Sequence, residues 1–221
     1  MSDKAYLDKN GFLYKKKFFS NEEVEKLLNI NNKLHNSNNS KFGPLHNSKN
    51  AWDIIVNDRI ISLIKDLLGS EKIAYLYHGH SVHQSKETHF DNAWHRDNAC
   101  RTFGKGPDWE KDYNVLRVAI YLDNGSSGLN LIKKSHRKKK YICRILNVLR
   151  TKFKFIYYNK LFKFFFDNIF GKKIHTNSGD CILFFANTLH SAINNKKDGN
   201  IVRRAFFLTY GTDNAHSQNH M

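Results

Sequence analysis

A histidine and an aspartate two positions apart are the first residues whose types and spacing could do chemistry. His95 and Asp97 stand in AWHRDNA, residues 93–99, in a region bounded by strand-like sequence. Side chains two positions apart on a strand project from the same face. An imidazole and a carboxylate placed in this way could bind a metal, carry out acid–base chemistry, or only satisfy each other. The pair alone leaves all three open.

A second histidine that could join the pair ends a buried-looking strand. His190 closes the run GDCILFFANTLH, and the polar residues SAINN follow it. An apolar approach and a polar exit suit a ligand at the mouth of a β-barrel. Oxygen-activating enzymes commonly hold iron(II) by two histidines and one carboxylate on one face, which leaves three coordination positions open. His95, Asp97 and His190 therefore form a candidate iron site.

An arginine in an apolar strand suggests an anion-binding position. The run IVRRAFF, residues 201–207, carries two adjacent arginines in otherwise apolar sequence. An inward guanidinium needs an anionic partner, because burying it unpaired is costly. A carboxylate bound through two parallel hydrogen bonds is the natural partner. The run thus predicts that this strand binds a carboxylate.

The surrounding sequence predicts helices first and strands afterwards. Ser20 and Glu23 form a capping box that starts one helix, and a second helix begins near Asp58 and ends at Gly69. Four β-rich runs separated by turn residues come later: KIAYLYHGHSVHQ, LRVAIYLD, DCILFFAN and RRAFFLTYG. This order predicts a mainly β, α+β fold, an antiparallel sandwich or barrel with a helical flank.

Four blocks, in this order, resemble the phytanoyl-CoA dioxygenase family. GFLYKKKFFSNEEVEKL is similar to its N-terminal opening, WHRD to its metal motif, and IYLDNGSSGLNLIKKSH to its middle element. GDCILFFANTLHSAINN, with the arginine strand after it, is similar to its closing block. Members are iron(II)- and 2-oxoglutarate-dependent oxygenases on a double-stranded β-helix, the cupin-like jelly roll. The resemblance covers most of the chain and implies this fold with N-terminal helices and a helical insertion.

The resemblance also implies roles for individual residues. His95, Asp97 and His190 match the iron ligands and would be the catalytic residues. The family's 2-oxoglutarate arginine lies two residues before a small residue, here Ala205, which indicates Arg203. Strand alternation then sends the alternative, Arg204, outward.

The implied reaction is hydroxylation of a small or carrier-bound metabolite, with O2 consumed and succinate and CO2 released. Halogenases of related fold lack the carboxylate ligand, so the presence of Asp97 favours hydroxylation or desaturation. Two departures concern the middle element: IKKSH lacks the Pro-Gly usual before Ser-His, and Ala119 stands where an aromatic residue is common. The second contact to 2-oxoglutarate therefore stays open, with Gln84 and Lys86 as candidates or as ordinary surface residues.

The chain is predicted to form one domain over residues 1–221. Its helical flank would span 20–70 and its β core 73–136 and 174–211, with a basic, aromatic insertion at 137–173. The insertion reads as helical, and a lid, an acyl-carrier or membrane contact and a nucleic-acid surface are all consistent with it. Helices that pack a phenylalanine stripe on the barrel are the plainer alternative.

Composition bounds the class of protein. Hydrophobic residues make up 40% and aromatic residues 14%, which indicates a folded globule. The net charge of +16 slightly favours an anionic substrate, although richness in Lys, Asn, Ile and Phe is also typical of a low-GC genome. We expect a small-molecule substrate, no nucleic acid and no transmembrane segment, with peripheral membrane contact and oligomeric state left open. Three widely spaced cysteines and an N-terminus unlike a secretory signal predict a cytoplasmic protein.

Other residues invite different interpretations. His78, His80 and His83 are a rival metal cluster, although their spacing fits known sites poorly. Asn98 and Arg101 follow the metal motif and are candidates to face the substrate. We expect Trp94 and His136 to be structural, by contrast.

A different class of function also fits the sequence. The β-barrel would then be a scaffold, and the Lys/Phe-rich insertion would bind nucleic acid or anionic lipid without catalysis. A degenerate family member that binds metal without oxygen chemistry is a third reading.

Overall fold

The computed structural model describes residues 1–36, 41–84, 94–97, 114–125, 127–137, 141–194 and 203–218. Its helices are α1 (Asp3–Asn10), α2 (Asn21–Leu34), α3 (Lys49–Ile55), α4 (Asp58–Leu68), α5 (Tyr141–Lys152), α6 (Lys154–Tyr157), α7 (Lys160–Phe170) and α8 (Ala215–Gln218). Its strands are β1 (Phe12–Lys15), β2 (Lys41–Phe42), β3 (Ile73–Tyr75), β4 (His80–Gln84), β5 (Val115–Tyr121), β6 (Ser127–Leu131), β7 (Lys172–His175), β8 (Cys181–Phe185), β9 (His190–Asn194) and β10 (Arg203–Thr212).

Two antiparallel sheets face each other. The larger has the order β1-β8-β5-β10-β4-β2, with β3 also paired to β10, and the smaller has the order β7-β6-β9. Neighbours in the larger sheet are distant in sequence, since β5 lies between β8 and β10. The smaller sheet gains one further contact, an isolated bridge between His95 and His190. This bridge brings the predicted metal motif to the edge of β9.

The predicted helix starts and stops are present. Ser20 accepts from the Glu23 backbone N–H at the start of α2, and the Glu23 carboxylate accepts from Ser20 N, which completes the predicted capping box. Helix α4 ends at Gly69 in the left-handed conformation, with φ of 64°, which glycine adopts without strain. Its N-cap is Asn57, one residue before the predicted Asp58.

Side-chain alternation divides the larger sheet into an outer and an inner face. Leu116, Val118 and Ile120 of β5 point outward and pack in one core with helical residues such as Ile60 and Ile64. Burying each of these aliphatic side chains contributes roughly 1.5–3 kcal/mol. The helical flank is therefore held by the outer face, and the inner face is left for the space between the sheets.

The inner face is lined by a second apolar cluster. Ala119 and Tyr121 of β5 lie there with Ala205 of β10, and Leu129 and Leu131 come from the facing sheet. By the same two-residue period, Arg117, Gln84 and Arg203 also lie on inner-face positions of their strands. The inside of the sandwich thus holds a few polar side chains in apolar surroundings.

Helices α5, α6 and α7 lie between β6 and β7 in the chain. Leu146, Tyr157 and Phe166 of these helices are buried in a small core with Trp94. The Trp94 indole N–H donates to Asp167 Oδ1 at 2.8 Å, and the Tyr157 hydroxyl donates to the Trp94 carbonyl. The three helices are therefore joined to the residue that precedes His95.

Candidate metal centre

Backbone hydrogen bonds fix the relative positions of the three predicted metal ligands. The N–H groups of His95 and His190 each donate to the other's carbonyl at 2.9 Å. The Asp97 N–H donates to the Ala186 carbonyl at 3.0 Å. Two ligands on one segment are thereby anchored to the strand pair that supplies the third.

The three side chains converge. One ligand atom from each of His95, Asp97 and His190 lies within 4.8 Å of the others. Asp97 Oδ1 is 3.8 Å from His95 Nε2 and 3.7 Å from His190 Nε2. These separations are too long for hydrogen bonds but suit atoms that share one ion about 2 Å from each. Two nitrogens and one oxygen on one face are the donor set of non-haem iron(II) sites, so the residues fit that metal.

His190 is held in the tautomer that a metal requires. Its Nδ1 lies 2.9 Å from the Thr188 carbonyl, to which Nδ1–H donates, so that Nε2 presents its lone pair to the site. Burial, with a smaller contribution from the His95 ring, lowers the pKa of His190 to about 4. The ring is therefore neutral near pH 7 and able to bind a metal. The side chain of His95, in contrast, is 41% exposed.

Arg117 holds the other oxygen of Asp97, and the sequence did not single it out. Its Nε lies 2.8 Å from Asp97 Oδ2, as an ion pair rather than a well-aligned hydrogen bond. Its Nη1 donates to the His78 carbonyl at 2.9 Å and to the Thr209 hydroxyl. Burial by itself would raise the pKa of Asp97, but Arg117 and the site histidines outweigh burial and hold that pKa well below 3.8. Asp97 is thus an anion with one oxygen left for a metal.

The signal that could have found Arg117 was present in the sequence. Arg117 is a charged residue within the apolar run LRVAIYLD, two positions before Ala119. The argument that a buried guanidinium needs an anion applies to it as it does to Arg203.

Arg203 and Gln84 are cross-strand neighbours. Both are buried, and their Cα atoms pair between β10 and β4. Burial lowers the pKa of Arg203. Arg204 has a different environment: its Nη2 donates to Asp123 Oδ1 at 2.5 Å and its backbone N–H to Asp123 Oδ2 at 2.6 Å. The guanidinium of Arg204, the alternative arginine, is therefore already paired with Asp123.

Tyr121 is a second residue that the sequence reading missed. It is fully buried on the inner face of β5, and Ala205, two residues after Arg203, is its cross-strand neighbour. Its hydroxyl has no hydrogen-bond partner among the described residues, and burial raises its pKa. Tyr121, which directly precedes Leu122 and Asp123, is the aromatic residue that the family pattern expects, rather than Ala119. An orphaned hydroxyl in an apolar space indicates a missing polar partner.

Two histidines of the rival cluster lie on different faces of β4. His80 faces inward and stacks on Phe207 at 4.8 Å, whereas His83 faces outward, 5.6 Å from His35. Within the described part of the chain, the rival histidine cluster does not form a group of three ligands. Lys86, Asn98 and Arg101 lie outside the described residues.

Trp94 and His136 have structural contacts, as expected. Trp94 is 2% exposed and packs edge-on against Phe166. His136 stacks on Phe185, and its Nε2 lies 3.1 Å from the Asp8 carbonyl. None of the described helices is long and apolar enough to cross a membrane.

No family model matches the chain, and no curated protein matches it. Solved structures do. HygX from Streptomyces hygroscopicus, with nickel and 2-oxoglutarate bound, has a TM-score of 0.69 at 17% identity, covering 96% of this chain and 86% of HygX.

Two further structures come from nogalamycin biosynthesis. The non-heme alpha ketoglutarate dependent carbocyclase SnoK has a TM-score of 0.67 at 13% identity, covering 96% of this chain and 84% of its own. The epimerase SnoN, in complex with Fe3+, alpha ketoglutarate and nogalamycin RO, has a TM-score of 0.65 at 15% identity, with coverage of 95% and 82%.

These likenesses define the fold. The predicted class is confirmed: the chain is a mainly β jelly roll, or double-stranded β-helix, with helices before the β core. Within that fold, His95, Asp97 and His190 form a candidate metal centre.

Proposed function

We propose that this protein is an iron(II)- and 2-oxoglutarate-dependent oxygenase that hydroxylates a small or carrier-bound metabolite. The observation that carries the proposal is the convergence of His95, Asp97 and His190, with ligand atoms within 4.8 Å of one another. The sequence blocks quoted above support membership of the phytanoyl-CoA dioxygenase family. We further propose that residues 1–221 form one domain and that the protein works in the cytoplasm.

The protein's own residues would hold and orient the metal. The two histidines would bind through Nε2 and Asp97 through Oδ1, while Arg117 keeps the carboxylate ionised. Bound iron would supply oxygen activation coupled to conversion of 2-oxoglutarate to succinate and CO2. Three ligands on one face would leave coordination positions for the co-substrate and for O2, and the apolar residues of the inner face would limit the entry of water.

Arg203 is our candidate for the far carboxylate of 2-oxoglutarate. It is buried on an inner-face position, and its guanidinium suits a carboxylate. The Tyr121 hydroxyl is the candidate for the second contact, and Gln84, opposite Arg203 on β4, is a third polar group on this face. Arg204 is the weaker candidate because Asp123 already binds it.

Hydroxylation is the reaction that we favour. HygX, SnoN and SnoK have the same fold, yet SnoN is an epimerase and SnoK a carbocyclase, so the fold permits several outcomes. Asp97 argues against halogenation, because the carboxylate occupies the position that a halide would need. The net charge of +16 favours an anionic substrate.

The test is an anaerobic titration of the protein with iron(II) and 2-oxoglutarate. We expect the weak visible charge-transfer band of an iron(II)–2-oxoglutarate chelate. The band should vanish in His95→Ala, and in Arg203→Ala it should require much more 2-oxoglutarate. Circular dichroism should show both variants folded. Absence of the band in folded, iron-loaded wild-type protein would rule out the proposal.

A further inference from the structure

Helix α7 carries an apolar stripe on its outer side. Leu161, Phe164, Phe165 and Ile169 are exposed by 69%, 59%, 60% and 69%. Their spacing of three, four and eight residues from Leu161 places them on one face of the helix. Exposure of this extent in four neighbouring apolar side chains is unusual for a protein surface and indicates an interaction site.

Among the described residues, the cores do not include this stripe. The opposite side of α7 provides the internal contacts: Phe166 is buried against Trp94, and Phe162 packs beside them. The helix is thus already anchored without its outer stripe. The chain just before it adds three more exposed aromatic residues: Phe153 at 44%, Phe155 at 76% and Tyr158 at 57%.

Positive charge is concentrated in the segment that carries the stripe. The segment 137–173 contains twelve Lys and Arg residues and a single acidic residue, Asp167. Both oxygens of Asp167 are engaged, Oδ1 by the Trp94 indole N–H and Oδ2 by Lys163 Nζ, each at 2.8 Å. Further lysines of the segment are exposed, namely Lys152, Lys154, Lys172 and Lys173.

We propose that α7 docks on an anionic lipid membrane, lying in the plane of the interface with its stripe among the acyl chains. An amphipathic helix with Phe and Leu on one side and basic residues around it has the composition that binds such surfaces. The apolar stripe accounts for insertion, and the lysines account for attraction to anionic headgroups. An apolar stripe that only packed against protein would not need the lysines, and a purely electrostatic surface would not need the stripe.

Charge argues against one other occupant, and the composition of the stripe argues against another. A second copy of this chain would bring two strongly basic segments together, and like charges repel. A nucleic acid would use flat aromatic faces and a basic groove, but aliphatic Leu161 and Ile169 offer it nothing to stack on. A lipid bilayer, by contrast, can bury all four apolar side chains of the stripe.

The test is co-sedimentation of the full-length protein with vesicles. We expect binding to phosphatidylcholine vesicles that contain about one-third phosphatidylserine, and little binding to pure phosphatidylcholine. Phe164→Ser/Phe165→Ser should weaken binding at least about tenfold by removing inserted apolar area. The matched control, Trp52→Ser/Val56→Ser, removes exposed apolar residues around α3 and should bind as wild type.

The charge contribution has its own pair of variants. Lys172→Glu/Lys173→Glu should weaken binding at least about tenfold, whereas Lys33→Glu/Lys49→Glu makes the same change in net charge elsewhere and should have little effect. His95→Ala should bind vesicles normally, because the docking does not depend on the metal centre.

Three results would overturn the proposal. The first is folded wild-type protein that fails to bind the anionic vesicles, or binds them equally well after loss of Phe164 and Phe165. The second is tight binding of a single-stranded oligonucleotide that is lost in Phe164→Ser/Phe165→Ser, together with no binding of the wild-type protein to the vesicles. The third is a dimer, seen by light scattering, that the Phe164→Ser/Phe165→Ser variant dissociates.

Discussion

Arg117 Nε lies 2.8 Å from Asp97 Oδ2, on the side of the carboxylate away from the two histidines. The guanidinium is itself held by the His78 carbonyl and the Thr209 hydroxyl. The candidate metal-binding carboxylate is thus oriented by a buried arginine from β5, in the middle of the larger sheet. Loss of such an outer contact typically lowers metal affinity or activity about 10- to 100-fold.

Loss of this arginine should weaken metal binding without removing a ligand. In Arg117→Met, Asp97 loses its cationic partner, so its pKa rises and its orientation loosens. We expect iron(II) affinity, measured by anaerobic competition with a chelator, to fall about 10- to 100-fold. Arg59→Met, at an exposed arginine near Glu23, is the control and should bind iron normally. Equal affinities in the two folded variants would show that Arg117 plays no part.

The adjacent arginines should separate co-substrate binding from stability. Arg203→Gln should weaken 2-oxoglutarate binding about 100-fold or more, because the far carboxylate loses its charged partner. Arg204→Gln should leave that binding unchanged and lower the free energy of unfolding by about 1 kcal/mol, since it loses the ion pair with Asp123. Isothermal titration and urea unfolding measure the two effects. The reverse pattern would make Arg204 the co-substrate residue.

The hydroxyl of Tyr121 should matter only when the co-substrate is bound. Tyr121→Phe removes an unpartnered oxygen from an apolar space, so the stability of the ligand-free protein should be unchanged or higher. Affinity for 2-oxoglutarate should fall about tenfold, and iron(II) affinity should stay the same. Tyr210→Phe, whose hydroxyl donates to the Ile55 carbonyl outside this space, should instead lower stability alone. Unchanged 2-oxoglutarate affinity in Tyr121→Phe would remove Tyr121 from the site.

Buried neutral histidines should make the metal-free protein sensitive to mild acid. Burial lowers the pKa of His190 to about 4 and that of His80 well below 6.5. Between pH 6.5 and 4 the unfolded chain therefore binds protons that the folded protein does not, and stability falls as pH falls. His190 alone should contribute a loss of roughly 3 kcal/mol over that range.

Urea unfolding in the presence of a chelator, repeated at several pH values, measures this loss. His190→Gln should show a shallower decline than wild type, and His175→Gln, at an exposed histidine, should follow wild type. Identical slopes in all three proteins would contradict the assignment of the acid sensitivity to His190.

The sequence indicated three candidate ligands that the structure brings together, but not the residues that support them. His95, Asp97 and His190 were accessible because a two-residue spacing and one strand end carry the information locally. Arg117 and Tyr121 could be noticed as a charge and an aromatic residue in the run LRVAIYLD, but the groups that they face depend on the pairing of β5 with β8 and β10, which local sequence does not specify. The ion pair between Arg204 and Asp123 is likewise a contact between distant parts of the chain.

Helix α7 shows a different limit of sequence reading. Its apolar residues occur on both sides, so periodicity does not reveal which side packs inward. Only the contact of Phe166 with Trp94 identifies the inner side and leaves Leu161, Phe164, Phe165 and Ile169 outside.

The attachment of the α5–α7 helices to Trp94 limits how this protein can be shortened. Trp94 immediately precedes an iron-ligand candidate, and Asp167 and Tyr157 hold its indole and its carbonyl. A deletion of the three helices would uncover Trp94, Ile132 and Leu189 together. The segment of His95 and Asp97 would then keep its backbone hydrogen bonds to His190 and Ala186 but lose both hydrogen bonds through Trp94. A helical unit grafted from a relative would therefore have to supply a hydrogen-bond acceptor for the Trp94 indole N–H and a hydrogen-bond donor for the Trp94 carbonyl.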